Sequence, residues 1–352
     1  MHPDSEARRW LKQVLPTLPV DPSLYPQQID LEQNLALMIQ MAEVDYERAA
    51  FLDERVISPS TRGSWLPLRG LVELRGRVRR HLPPAWLFHI GHCGSTLISR
   101  LLGAHPNLLA LREPGTLQTL AYSRRAADQE SAPELFGLCV ALLSRSFRET
   151  QRAFVKLTSD CNNLIEPLLA HDHEAPAILL YVGLETYAAT MLRAAALRAD
   201  VETRHPARLN DLETWLGAPC EAGSDDAQRV AVSWLASMGA FADAAEVFAH
   251  RVMLLDFEDF LASPRQRLSE VAAFLGTPFA ADEAAALVSG PLMRRYSKNL
   301  DKGYNPAIRE EQLRDSRDRY GEQIAAALRF AENLGNRFEP IAALRKHFQR
   351  AR

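Results

Sequence analysis

The chain has 352 residues, 47% of them hydrophobic and 24% charged, with a formal net charge of −3 at pH 7. This is ordinary globular composition, with enough chain to bury one or two cores. It excludes a whole-molecule attraction to nucleic acid or to an anionic membrane, so any anion site must be a local one.

In chain order, residues 1–84 read as a helical N-terminal region. From Asp30 to Asp53 the segment DLEQNLALMIQMAEVDYERAAFLD places Leu31, Leu35, Met38 and Ile39 at helical spacing, with Asp30 as N-cap. The basic run holding Arg77, Arg79 and Arg80 ends before Pro83 and Pro84 and reads as a solvated face. From Ala85 short apolar runs alternate with helical patterns, the mark of βαβ units and a parallel sheet. Strands are expected at 86–90, 153–159, 177–182 and within 251–260, with a further one leading to Glu113. A long helix is expected at 226–248. Residues 200–225, with glycine, proline and an acidic pair, read as a loop or insertion. A helix should run from the Ser263-Pro264 start to Gly276, and the C-terminal region should be helical from about Asp315.

Cys93, Cys139, Cys161 and Cys220 form neither a CxxC pair nor a zinc-ligand spacing. Free thiols in a reducing cytoplasm are the expectation. The N-terminal MHPDSEARRWLKQ lacks a signal-peptide core, and no apolar run of about 18 residues predicts a membrane span.

The most informative segment is PPAWLFHIGHCGSTLISRLL. A strand that passes through a glycine- and hydroxyl-rich turn into a helix aims backbone N–H groups and the positive helix end at one point, a geometry that binds phosphate. Gly91 and Gly94 allow close approach, and Ser95 and Thr96 add hydroxyls at the helix start. The lysine of a GxxxxGK[ST] loop has no counterpart, which disfavours ATP hydrolysis.

The segment IGHCGSTLISRLLGAHPNLLALREP resembles the nucleotide-binding loop of sulfotransferases, of the form PKSGTT or PRSGTTLL followed by HP and an acidic residue. On that pattern Gly91, His92, Cys93, Gly94, Ser95 and Thr96 would cradle the 5′-phosphosulfate of 3′-phosphoadenosine 5′-phosphosulfate, with His92 where a lysine or arginine stands. The resemblance implies an α/β, P-loop NTPase-like three-layer fold with a central parallel sheet and extra N- and C-terminal helices. Residues 85–352 would form that domain, with a helical insertion near 200–250. Glu113 in LREP would be the general base, with His92 also at the reacting centre. LLYVGLETYAATMLR matches the 3′-phosphate segment, but Val182 or Gly183 stands where the family has an arginine. Thr190 would replace the family's serine, Arg193 would add charge, and Lys298 and Lys302 in MRRYSKNLDKGYNP would supply cations from a basic loop. Residues 252–279 match a family run that concerns packing. The resemblance covers about half the chain.

Other residues compete for roles. His89, inside a strand, reads as a satisfied core residue, and His105 as packing at a helix end. Lys156 at the end of the second strand reads equally as a substrate or phosphate contact and as a snorkelling sheet-edge lysine. The expected function is transfer of a sulfuryl group to a hydroxyl or amine. The acceptor would be a small molecule, carbohydrate or peptide, and no metal, nucleic acid or membrane span is expected. The alternatives are a non-catalytic P-loop relative that binds a nucleotide or partner, and a P-loop kinase-like phosphotransferase, which would need a loop cation and an acidic magnesium partner; His92 argues against it, although Asp256 could be mistaken for such an acid.

Overall fold

The computed structural model describes residues 13–125, 133–296, 299–303 and 305–349. Its N-terminal part departs from the helical expectation. Residues 24–67 hold a three-stranded antiparallel sheet: β1 (Leu24–Asp30), β2 (Leu35–Gln40) and β3 (Gly63–Pro67), in that order. Asp30 caps a turn and not a helix, its carboxylate accepting from the Gln33 N–H at 2.9 Å, and Asn34 takes a left-handed φ of 57° to close the hairpin. Leu35, Met38 and Ile39 fit helical spacing, but so short an apolar run fits a strand as well, and the partner strand decides. Gly63 makes that pairing possible, since a Cβ there would meet the Met38 carbonyl at 2.7 Å. Short helices at Glu43–Arg48 and Leu68–Leu74 complete the region.

The main sheet has five strands, β4 (Ala85–His89), β5 (Leu108–Arg112), β6 (Arg152–Lys156), β7 (Ala177–Tyr181) and β8 (Val252–Asp256), in the order β5-β6-β4-β7-β8. It is parallel, as the registers Leu87↔Lys156 and Arg112↔Lys156 show for its first three strands. Nearly every residue of β4, β5, β6 and β7 is buried, which is why these strands read as continuous apolar runs and not as alternation. The carboxyl ends of β4, β5 and β6 therefore share one edge, where ligands bind in α/β folds. The expected α/β fold with a central parallel sheet and flanking helices is what the chain forms, and among the described residues of the N-terminal region an antiparallel sheet accompanies the short helices.

Two compact units divide the chain. The first comprises Met1–Leu87, Thr96–Ala177 and Ser269–Ala280, and the second Phe88–Ser95, Ile178–Leu268 and Ala281–Arg352. In the second, the Ala195–Leu216 helix runs through Pro206 across a stretch expected to be loop. An internal proline costs about 3 kcal/mol. Packing offsets it: the Trp215 ring lies where a Cβ on Gly239 would be, and the indole N–H donates to Asp243 at 2.9 Å. Gly217, at φ 65°, ends the helix. The Asp226–Val247 helix is long and apolar enough to cross a membrane by length and composition alone, but its most apolar stretch is 67% buried inside the protein. The C-terminal helices Pro306–Gly335 and Glu339–Gln349 begin earlier than expected, at the Asn305 cap.

In the first unit Arg145 is 2% exposed. It donates to the carbonyls of Leu18, of Asp21 at 2.7 Å and of Leu24 at 2.6 Å, tying the start of β1 to the segment after the Pro133–Leu143 helix. Burial pushes its guanidinium down to about 10. Arg145→Met strands those carbonyls without partners, each costing about 1–3 kcal/mol. We expect a loss of at least about 3 kcal/mol in urea denaturation; a change below 1 kcal/mol would show that the clamp is dispensable.

Candidate functional site

The turn after β4 is built from left-handed residues. Gly91 (φ 87°), His92 (φ 51°) and Gly94 (φ 84°) alternate around Cys93 before the Ser95–Leu102 helix begins. Successive backbone N–H groups in a turn of this kind can line an anion-binding concavity, and a helix N-terminus favours negative charge. The amides do not serve equally. Gly91 donates its N–H to His89 Nδ1 at 3.0 Å, so its part is conformational, and His89 is the satisfied core histidine that was expected. The Cys93 thiol donates to the Leu180 carbonyl at 3.5 Å, which leaves only its backbone for a ligand. His92 is exposed. Ser95 and Thr96 are buried, and Thr96 Oγ1 has no hydrogen-bond partner among the described residues. A buried hydroxyl without a protein partner is costly, and an ordered water or a ligand oxygen would satisfy it. Ser99 Oγ, one turn further, is in the same position and was not singled out from the sequence.

Gly94 is required twice over. Beyond its left-handed φ, a Cβ there would lie 2.2 Å from the Phe257 ring. The Arg309 guanidinium sits 5.4 Å from the centroid of that ring and pairs with Glu258, Nη1 to Oε2 at 3.1 Å. Asp256 is a helix cap, accepting from the Glu258 N–H at 2.8 Å.

At the end of β5, Glu113 also has a left-handed backbone, φ 57°. Its N–H donates to the Lys156 carbonyl at 2.6 Å, and its carboxylate accepts from Lys156 Nζ. Lys156 is wholly buried, so it is a paired interior cation and not a snorkelling one. The Phe51 ring centroid lies 5.8 Å from Lys156 Nζ and 3.6 Å from the Arg55 guanidinium. The Asp53 carboxylate, hydrogen-bonded to Arg55, holds that guanidinium above its usual range, and Glu113 adds to the effect. Phe51 and Arg55 carried no signal in the sequence, because no spacing relates them to Glu113 and their segment read as part of a helix.

The residues expected around a 3′-phosphate are placed as follows. Thr190 donates its hydroxyl to the Thr186 carbonyl at 2.8 Å within its own helix. Arg193, exposed at the end of that helix, donates to Gln312. Lys302 lies in a short strand, Asn299–Gly303, and Lys298 lies outside the described residues. His105 packs as expected, its ring 5.0 Å from that of Phe279. Among the described residues no group of three or more His, Cys, Asp and Glu side chains is placed to hold a metal ion.

A parallel sheet whose first strand turns through left-handed glycines into a helix defines a P-loop-type α/β protein. No protein-family model and no curated protein matches the chain. Among solved structures it is similar to the sulfotransferase domain from the curacin biosynthetic pathway, with 14% identity, 73% of this chain and 99% of that one covered, and a TM-score of 0.40. It is similar also to a sulfotransferase from Alicyclobacillus acidocaldarius (13% identity, 77% and 98% covered, TM-score 0.39). A third is retinol dehydratase in complex with androsterone and the inactive cofactor PAP (13% identity, 77% and 88% covered, TM-score 0.34). Two of these three structures are sulfotransferases by name.

Gly94→Ala meets both a steric and a conformational obstacle. Left-handed backbone costs a residue with a Cβ roughly 1–2 kcal/mol, and the Phe257 clash adds to it. We expect a lowered melting temperature, with Gly94→Ala/Phe257→Ala losing less than the sum of the two single variants. Strictly additive losses would mean that the ring is not the obstacle.

Proposed function

We propose that the chain is a sulfotransferase that moves a sulfuryl group from 3′-phosphoadenosine 5′-phosphosulfate to a hydroxyl or amine acceptor. The observation that carries this reading is the turn at 91–96, where left-handed residues, a helix N-terminus and the unpartnered Thr96 hydroxyl supply donors for an anion and no lysine for a γ-phosphate. The amides of His92, Cys93 and Gly94, with the Ser95 and Thr96 hydroxyls, hold the phosphosulfate and stabilise charge on its oxygens. The acceptor oxygen or nitrogen forms a bond to sulfur as the sulfur–oxygen bond to the 5′-phosphate breaks. The acceptor proton passes to the Glu113 carboxylate, and 3′-phosphoadenosine 5′-phosphate leaves. Such catalysis is mostly positioning and electrostatics. His92, at the rim of the turn, can add a hydrogen bond and, when protonated, charge. Lys298 and Lys302 are the cations proposed for the 3′-phosphate.

The way Thr190 and Arg193 are engaged favours a second reading, a relative that keeps the fold and binds the donor weakly or not at all. Calorimetric titration with 3′-phosphoadenosine 5′-phosphate separates the two. The catalytic reading expects micromolar binding, weakened about a hundredfold in Ser95→Ala/Thr96→Ala, since each lost hydrogen bond to an anion is worth about 1.5 kcal/mol. Absence of binding at millimolar nucleotide would leave the fold and remove the activity. Given binding, Glu113→Gln should keep the affinity and lose turnover, and a Gln variant with normal turnover would eliminate Glu113 as the base.

A further inference from the structure

Glu113 is gripped at both ends by one residue. Its N–H bonds to the Lys156 carbonyl at 2.6 Å and its carboxylate to Lys156 Nζ. A non-glycine residue keeps a left-handed backbone, here φ 57°, only where its surroundings over-determine it, and such residues gather at functional sites. The pair is asymmetric: 1% of the lysine side chain is exposed, against 15% of the glutamate's. The ammonium is therefore closed off from any ligand, while the carboxylate keeps an open face. The lysine's surroundings come from a strap after β2. Leu52 donates its N–H to the Arg112 carbonyl at 2.6 Å and accepts from the Tyr25 hydroxyl at 2.9 Å. Arg112 in turn donates to the carbonyls of Tyr46 at 3.0 Å and Ala49 at 2.8 Å. These bonds hold Phe51 with its ring beside Lys156 Nζ.

From this geometry we propose that Lys156 is a positioning residue, which fixes the Glu113 carboxylate in one orientation, and that the Phe51 ring shields their ion pair from water. The proposal rests on the reading of Glu113 as the proton acceptor. It assigns the N-terminal strap to the same site and removes Lys156 as a direct ligand contact. An ammonium fixed beside a carboxylate keeps it aimed, and proton transfer depends on that geometry first.

The test is labelling of the full-length protein with a water-soluble carbodiimide and glycine ethyl ester, read by peptide mass spectrometry. Glu43, paired with Arg148 at 2.7 Å, is the control carboxylate. Lys156→Met should label severalfold faster at Glu113 and unchanged at Glu43, with the wild-type rate restored in Lys156→Arg. Labelling at the wild-type rate in Lys156→Met, or equally fast labelling in Lys156→Arg with Glu43 unchanged, overturns the proposal. If Lys156→Met also exposes Glu43, the fold has loosened and Phe51→Ala decides. Faster labelling there at Glu113 alone supports the shielded pair, and none overturns it. Because labelling needs neither donor nor acceptor, a protein that shows this pattern and binds no 3′-phosphoadenosine 5′-phosphate loses the proposed activity and keeps the pair. One that binds the nucleotide and labels alike in every variant keeps the activity and loses Lys156 as its positioning residue.

Discussion

An ammonium buried at the end of a central strand sets the terms for the carboxyl edge of the sheet. Taking a charge out of water costs several kcal/mol unless a partner of opposite sign is fixed beside it. For Lys156 that partner is Glu113, which must leave β5 in a left-handed conformation to reach it. Arg112, immediately before, is buried as well and spends its guanidinium on carbonyls of the segment at 46–49. Two buried cations at the ends of neighbouring strands thus dictate where the N-terminal segment must lie. The sheet edge and the strap are one electrostatic arrangement, and the strap is needed because the cations are there.

The phosphate turn answers to a different constraint, that of space. Two glycines and a left-handed histidine let the chain reverse direction within a few residues, and the Phe257 ring fills the room that a side chain on Gly94 would take. The turn is thereby set before any ligand arrives, and preorganised donors lose little on binding. The polar groups of the turn are not alike: the Gly91 N–H is satisfied by His89 Nδ1, while Thr96 Oγ1 has no hydrogen-bond partner among the described residues.

Much of this was legible in the sequence because its causes are local. The turn at 91–96 carries its own glycines, and the strands of the main sheet are apolar throughout, so burial on both faces shows in composition. The Ser-Pro start and the glycine at 276 mark a helix by the same local logic. What was not legible depends on partners far away in the chain. Leu35, Met38 and Ile39 are compatible with a helix or a strand until β3 arrives from residues 63–67. Pro206 reads as a breaker until Trp215 and Gly239 are seen to pack. Phe51, with Arg55 over its ring, meets Lys156 only through folding that brings together residues about a hundred positions apart, and Arg193 finds Gln312 in the same way. Pairings at long sequence separation leave no periodic trace.

The Arg145 clamp has a consequence for synthesis. The carbonyls that it holds, at Leu18, Asp21 and Leu24, precede it by 127, 124 and 121 residues. At about 5–20 residues per second, the first strand waits on the order of 6–25 seconds for the residue that secures it. Over that interval the hairpin of β1 and β2 has its own turn but not its anchor, and β4 lacks its neighbour β6. Contacts of such long range slow folding and leave strand edges open in the meantime. The nascent chain therefore carries an unsecured N-terminal sheet until residue 145 has emerged and an open β4 edge until β7 follows.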